Sequence, residues 1–331
     1  MDDKVIEVRK LVRRYGKLTA VDGINLEVER GGIFGFLGPN GAGKTTTISM
    51  LTTLLKPTSG VALVGGHDVV RDQAEVRRSI GIVFQEPSLD ERLTATENLT
   101  FHAVLYNIPA SDRPSRIAGA LRMVSLEDRA ADRVERFSGG MKRRLEIARG
   151  LLHTPRVLFL DEPTLGLDPQ TRRSIWEHIL KLRRETDVTI FMTTHYMEEA
   201  EFCDRIAIMD RGKIVAEGTP AELKSMVGAD VVTVTAQDAD RVRAFAEEMD
   251  IPATGGEDGI RLEVKDGARF IPRLVGRLPD AVSSVELRRP TLDDVFLELT
   301  GRTIRESELD AKDISRDQLK RLFSSRWGGR R

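Results

Sequence analysis

The chain has 331 residues, 40% hydrophobic and 31% charged, with 51 basic against 52 acidic side chains and a formal net charge of -1. That length admits two domains, each able to bury a core, and the even charge excludes a chain that is basic throughout, as a global nucleic-acid binder would be. One cysteine, Cys203, allows neither an internal disulfide nor a cysteine-rich zinc site and fits a reducing compartment; no run approaches the roughly 18–20 apolar residues of a membrane span, and the polar start MDDKVIEVRK shows no export signal.

The first residues read as two strands, VIEVRKLV and INLEVER, joined by a loop RRYGKLTAVDG, with Ile24, Leu26 and Val28 alternating inward. The apolar run IFGFLG ends in a glycine-rich turn. After Lys44, TTTISMLTTLL reads as a helix with Ile48, Leu51, Leu54 and Leu55 on one face, stopped by Pro57. The runs IGIVF, VLFL, VTIFMTT and RIAIM then alternate with helical patterns, and being apolar on both faces they fit a buried, mostly parallel sheet. The expected fold class is therefore α/β, with an N-terminal antiparallel β subdomain, a helical subdomain over about residues 86–137 and a hairpin turning at Asp210, Arg211 and Gly212. A first domain is expected over 1–225. Residues 226–301 follow a smaller β-α-β-α-β-α rhythm, a small α+β domain, and 302–331 form a charged tail expected to be frayed or partner-dependent.

The sharpest chemical signal is GPNGAGKT, comprising Gly38, Pro39, Asn40, Gly41, Ala42, Gly43, Lys44 and Thr45, placed between a strand and a helix. Glycines let successive N–H groups curl around phosphate oxygens, and the helix N-terminus adds partial positive charge. Lys44 is expected to neutralise the β- and γ-phosphates, Thr45 to ligate Mg²⁺, and Thr46 to reach an inner phosphate. The apolar strand in VLFLDEP ends in Asp161, an expected Mg²⁺ ligand, and Glu162 follows as the expected general base for the attacking water. In FSGGMKRRLEIARGLL, Ser138, Gly139 and Gly140 open a helix whose N–H groups form a second anion site.

The ordered set GPNGAGKT, a glutamine-bearing loop, SGG before a helix, LFLDEP, GLD and a histidine after a strand resembles the nucleotide-binding subunit of ABC transporters, over roughly residues 4–225. The resemblance implies the phosphate-loop ATPase fold of that cassette. It further implies that Tyr15 stacks on adenine, that Gln85 approaches the metal and the attacking water while its loop senses a transmembrane partner, that Asp168 lies at a dimer seam, and that His195 contacts the γ-phosphate. FSGGM departs from the family's usual LSGGQ: Phe137 keeps an apolar anchor, whereas Met141 removes a polar amide. This variant, with RRPTLDDVFLELTG at 288–301, resembles the daunorubicin/doxorubicin-resistance type of ATP-binding subunit and extends the likeness to the C-terminal domain.

On that resemblance two copies hold two ATP·Mg²⁺ between them, each ATP lying between one chain's phosphate loop and the other chain's Ser138–Gly140. Hydrolysis drives export of a drug, lipid or other hydrophobic compound through a separate transmembrane permease subunit. The chain is expected to be cytoplasmic, peripheral on the inner face of the cell membrane, with no nucleic-acid partner. The alternative is a soluble ABC-type ATPase acting on DNA or ribosomes. Such proteins tend to carry paired cassettes, a long inserted coiled coil or cysteine-rich zinc elements, and none of these is visible here. In PTLDDVFLELTG, Thr291 and Asp294 form a capping pattern, while Leu292, Val295, Phe296 and Leu299 make an apolar stripe that reads either as packing on its own domain or as a means of homodimer contact or of communication with the ATP site.

Overall fold

The computed structural model describes residues 4–85, 88–256 and 259–301, so the expected tail at 302–331 lies outside the described residues. Chain contacts divide it into two compact units between Pro220 and Ala221, on the N-terminal side of the expected boundary at 225/226.

In the first unit, β1 (Lys4–Tyr15) and β2 (Leu18–Glu29) form a hairpin whose strands run much further than the sequence pattern suggests. The expected long loop shrinks to a turn at Gly16 and Lys17, with Tyr15 paired to Leu18. The reason is that RRY and LTA continue the ladder through their backbones without an apolar alternation to announce it. Ile24, Leu26 and Val28 are buried as their alternation requires. Next come β3 (Ile33–Leu37), α1 (Lys44–Leu51), β4 (Ser59–Val64), β5 (His67–Asp68), α2 (Gln73–Ser79) and β6 (Ile80–Val83). α1 stops at Leu51, short of Pro57: Thr53 takes a left-handed backbone (φ 65°), and Leu54 is left exposed.

The helical segment supplies α3 (Ala95–Leu105), α4 (Arg113–Met123) and α5 (Gly139–Leu151). α3 starts in a complete Thr94/Glu97 capping box, and α4 carries Pro114 in its first turn. The unit ends with β7 (Val157–Asp161), α6 (Pro169–Glu185), β8 (Thr189–Thr194), α7 (Met197–Ala200), β9 (Arg205–Asp210) and β10 (Lys213–Gly218), and the helix α8 (Pro220–Ser225) begins at the boundary. Arg211 and Gly212, both at positive φ, turn the β9–β10 hairpin as that tight connection requires.

The main sheet has the order β10-β9-β3-β8-β7-β6, with β9, β3, β8, β7 and β6 parallel and β10 antiparallel at one edge. A second, antiparallel sheet has the order β2-β1-β4-β5, and α1 touches β2, β4 and β7, which places it between the sheets. Phe34, Phe36 and Phe159 gather around Phe191, the rings of Phe34 and Phe191 stacked at 5.4 Å. Burying each such ring contributes about 1.5–3 kcal/mol. Strand register then decides where the chemistry lies. Leu37 pairs with Thr194 and Asp161 with Thr193, so the residues that follow these strands emerge together at one carboxyl edge.

The second unit contains β11 (Asp230–Ala236), α9 (Ala239–Glu248), β12 (Ala253–Gly256), β13 (Gly259–Val264), α10 (Gly267–Arg277), β14 (Val282–Arg288) and α11 (Leu292–Thr300). Its antiparallel sheet, ordered β12-β13-β11-β14, is the split β-α-β-β-α-β arrangement followed by one helix. The extra strand β12 corrects the simpler rhythm expected from sequence. Ala253, Thr254 and Gly255 offer no apolar alternation, and only their backbone pairing with β13 makes them a strand. Val232, Val234, Ile260 and Leu262 meet Val242 and Phe245 of α9 and Phe270 and Leu274 of α10 in a core of their own. The Thr291/Asp294 capping box forms, and Leu292, Val295 and Phe296 are buried.

Candidate active site

The phosphate loop leaves β3 at Gly38 and enters α1 at Lys44. Gly43 begins the helix in a left-handed conformation (φ 112°), and a Cβ there would stand 2.4 Å from the Ala20 carbonyl and 2.7 Å from Met209 Cε, so only glycine fits. The loop is braced from two sides, with Gly38 N–H donating to Thr194 O (3.3 Å) and Gly212 N–H to Ala42 O (2.8 Å). No side chain caps α1 and no acid lies in its first turn, which keeps its leading N–H groups electropositive toward an anion.

Lys44 is buried to 4% exposure, and its Nζ donates to Gly38 O (2.7 Å) and Pro39 O (3.1 Å) and lies 3.3 Å from Glu162 Oε1. Thr45 Oγ1 donates to Asp161 Oδ1 at 3.5 Å, and the same carboxylate oxygen accepts Thr193 Oγ1 at 2.5 Å. Asn40 within the loop is exposed, and Thr46 in the first turn of α1 is half-buried. Burial pushes the Asp161 carboxyl up, with the neighbouring Glu162 charge adding to it, against the Thr193 and Thr45 hydroxyls and Lys44.

Glu162 directly follows β7 with a left-handed backbone (φ 46°), uncommon for a residue with a side chain. Its N–H donates to Thr193 Oγ1 at 3.0 Å. Burial works against its charge, but His195 and Lys44 outweigh it and hold the carboxyl below its usual range. His195 Nδ1 lies 3.5 Å from Glu162 Oε1, an ion-pair distance without hydrogen-bond geometry, and its ring packs 4.1 Å from Tyr196. Lys44, Asp161, Glu162 and His195 therefore meet at one point.

The other expected residues are spread around this centre. Gln85 is exposed, just beyond β6 on the same carboxyl edge. Tyr15 closes β1 rather than sitting within a loop, is 45% exposed, and has the Arg13 guanidinium 4.5 Å from its ring centre, which leaves the opposite face for a partner. Its hairpin lies beside the phosphate loop through Ala20 and Gly43. Ser138 caps α5, its Oγ accepting Met141 N–H at 3.3 Å, and Phe137 is buried behind it. Ser138 and Gly139 are exposed, while Gly140 is buried, where a Cβ would stand 2.4 Å from Thr171 Cγ2 of α6. Asp168 is exposed and caps α6, accepting Thr171 N–H at 3.0 Å, and the Thr171 hydroxyl, with that N–H beside it, draws its carboxyl below the usual value. The fold does not bring Ser138–Gly140 into the cluster around Lys44 by any hydrogen bond or ion pair found among the described residues.

This packing makes a test. Gly140→Ala is expected to lower the unfolding stability of the first unit by about 1–3 kcal/mol, and Thr171→Ser, which removes the obstructing methyl, to restore most of it. Thermal unfolding of the single and double variants checks this, and failure of the serine to restore stability would remove the packing explanation for this glycine.

Three groups escape a reading of the sequence. Thr193 orients Asp161 and the Glu162 backbone; Glu199, buried, accepts Thr194 Oγ1 (2.7 Å) and Thr164 Oγ1; and Arg143 spans several segments. Polar threonines inside an otherwise apolar central strand were the available signal for the first. Cys203 is buried against Gly35, and burial pushes its thiol up, as fits a packed side chain.

Strand order and loop together define the class, a phosphate-loop nucleoside triphosphatase. A family model described as "ABC transporter" matches residues 21–165, and one described as "ATP-binding protein DrrA1-3-like, C-terminal domain" matches 218–300. A linearmycin resistance ATP-binding protein of Bacillus subtilis is 39% identical, covering 91% of this chain and 100% of its own length. A daunorubicin/doxorubicin resistance ATP-binding protein of Streptomyces peucetius is 40% identical over 90% of this chain and 93% of its own. Among solved structures, an ATP-binding cassette in a dimeric, post-hydrolysis state bound to ADP and Pi superposes with a TM-score of 0.58 at 29% identity, covering 65% of this chain and 98% of that one. The subunit cbiO1 of Clostridium perfringens, part of the ABC transporter complex cbiONQ, gives a TM-score of 0.64 at 29% identity over 75% and 97%. The chain belongs to the family of ABC transporter ATP-binding proteins and is an ABC ATPase with the DrrA-like C-terminal domain.

Proposed function

We propose that this chain hydrolyses ATP at a site shared between two copies and so drives export of a hydrophobic compound through a separate membrane subunit. The observation that carries the hydrolytic part is the meeting of Lys44, Asp161, Glu162 and His195 at the carboxyl edge of the sheet. Lys44 neutralises the terminal phosphates of ATP. Glu162 takes a proton from water as the water oxygen bonds to the γ-phosphorus and the bond to the bridging oxygen of ADP breaks; the products are ADP and phosphate. A γ-phosphate drawn to Lys44 competes with Glu162 for the same ammonium, which leaves the carboxylate more basic when ATP is bound. His195 steadies both the carboxylate and the γ-phosphate, and Gln85 orients the water. Tyr15 stacks on adenine with the ring face that Arg13 leaves open.

The hydroxyl of Thr45 and the carboxylate of Asp161, two hard oxygens 3.5 Å apart, fit Mg²⁺, and Gln85, which follows β6 beside β7 on the same carboxyl edge, is the further ligand proposed. No group of three or more His, Cys, Asp or Glu that could hold a metal occurs among the described residues, which suits an ion bound mainly through phosphate and water. When bound, Mg²⁺ supplies positive charge that offsets charge developing on the phosphate oxygens. Asp168 and Ser138–Gly140 face the second copy.

No helix of the described residues is long and apolar enough to cross a membrane, so transport needs a separate spanning subunit. Relatives named for resistance to linearmycin and to daunorubicin/doxorubicin support the reading of outward transport of such compounds, with this chain acting from the cytoplasmic face. The test is affinity purification from membranes. A polytopic membrane protein is expected to copurify, and hydrophobic compounds to raise the ATPase rate of the complex; a chain recovered instead on ribosomes or DNA, with no membrane partner, would overturn the transport reading.

A further inference from the structure

Arg143 lies in α5, one turn beyond the Ser138 cap, and is buried to 6% exposure. All five guanidinium N–H donors find acceptors. Nε donates to Pro163 O (2.7 Å), Nη2 to Asp161 O (3.0 Å) and Glu162 O (3.2 Å), and Nη1 to Glu146 Oε2 (3.0 Å) and to Phe84 O. Successive carbonyls of a strand point in alternate directions, so three in a row reach one guanidinium only where the chain is turned. The left-handed backbone of Glu162 is that turn. Phe84 O belongs to the peptide that leads into Gln85. Glu146 in turn accepts Ser88 N–H at 2.9 Å, and Arg149 donates to Ser88 Oγ and to Ile82 O (3.3 Å), so α5 grips the chain on both sides of Gln85.

We propose that Arg143 is a positioning residue for hydrolysis: it imposes the backbone turn that aims the Glu162 carboxylate and fixes the Gln85 peptide against it. This rests on Glu162 being the general base. Five carbonyl and carboxylate acceptors in a fixed plane suit a guanidinium; an ammonium has three donors and cannot fill them. Misplacing a reacting group by about 1 Å can cost 10²-fold in rate, whereas the phosphate loop, which Arg143 does not touch, keeps its grip on ATP.

The experiment compares Arg143→Lys, Arg143→Gln and Glu162→Gln, singly and as the Arg143→Lys/Glu162→Gln pair, using full-length protein. Steady-state hydrolysis gives kcat and KM, equilibrium binding of a fluorescent ATP analogue gives bound nucleotide per chain, and rates are expressed per binding-competent chain, so partial misfolding of either Arg143 variant does not imitate the effect. Arg143→Lys is expected to lower kcat by at least about tenfold with KM and stoichiometry nearly unchanged. The double variant is expected to be no slower in single turnover than Glu162→Gln alone. A wild-type kcat in Arg143→Lys beside an inactive Glu162→Gln overturns the role of Arg143 and leaves the base assignment standing. Equal losses of kcat and nucleotide binding, or additive losses in the double variant, also overturn it. Normal turnover in Glu162→Gln overturns the base assignment itself, and with it a role for Arg143 exerted through Glu162.

Discussion

Glu162→Gln is expected to lower steady-state ATP turnover by about 10²- to 10⁴-fold while ATP binding persists. Glutamine keeps the size of the side chain and an oxygen for Lys44, 3.3 Å away, but cannot accept the proton of the attacking water. Binding and chemistry are thereby separated, and the variant is expected to accumulate as an ATP-bound dimer in size-exclusion chromatography with ATP. The pH dependence follows from the same geometry. In the free chain burial disfavours the Glu162 anion, but His195 and Lys44 overcome it and depress its pKa. Because a depressed carboxylate stays ionised until the pH falls through its lowered value, the acidic limb of kcat/KM is expected below the usual glutamate range, near 4.3. The limb for kcat, measured with ATP on Lys44, is expected higher. Wild-type turnover in Glu162→Gln, at any pH, would remove the base assignment.

What could be read without coordinates was whatever local chemistry enforces. Gly43 is legible because the glycine-rich turn from a strand straight into a helix demands it, and Asp161 because an apolar strand stops at a charge. Arg143 is not legible. It reads as one of several basic residues on an amphipathic helix, since four of its five acceptors are backbone carbonyls 18 to 20 residues away on one side and 59 on the other, brought together only by the stacking of β6, β7 and α5. The β1–β2 hairpin tip and β12 were hidden for a related reason. Their ladders rest on backbone pairing, with side chains too polar or too small to mark a strand. The apolar stripe of α11 was visible because a helical period of hydrophobic side chains needs no partner to be recognised; Leu292, Val295 and Phe296 in it are buried and Leu299 is half-buried.

Ser138→Arg is expected to lower turnover by about 10²-fold or more by removing an anion site that acts on the other copy's ATP, with each separate chain still binding ATP through its own phosphate loop. Ser138 and Gly139 are exposed at the start of α5, and the Ser138 hydroxyl, though accepting Met141 N–H, keeps its own proton to donate. An arginine there covers the helix end with a bulky side chain. It also removes the cap, which costs about 1 kcal/mol, so Ser138→Ala serves as the control that loses the cap without the obstruction. The decisive measurement mixes two inactive proteins. In a heterodimer of Ser138→Arg with Glu162→Gln, one site carries both defects, whereas the other combines an intact phosphate loop and Glu162 with an intact Ser138. If half the dimers are mixed and each holds one working site of two, about a quarter of the wild-type rate should return, as isologous symmetry demands. An active mixture can arise only if each site takes residues from both copies, and a mixture as inactive as its components would place the whole hydrolytic site within a single chain.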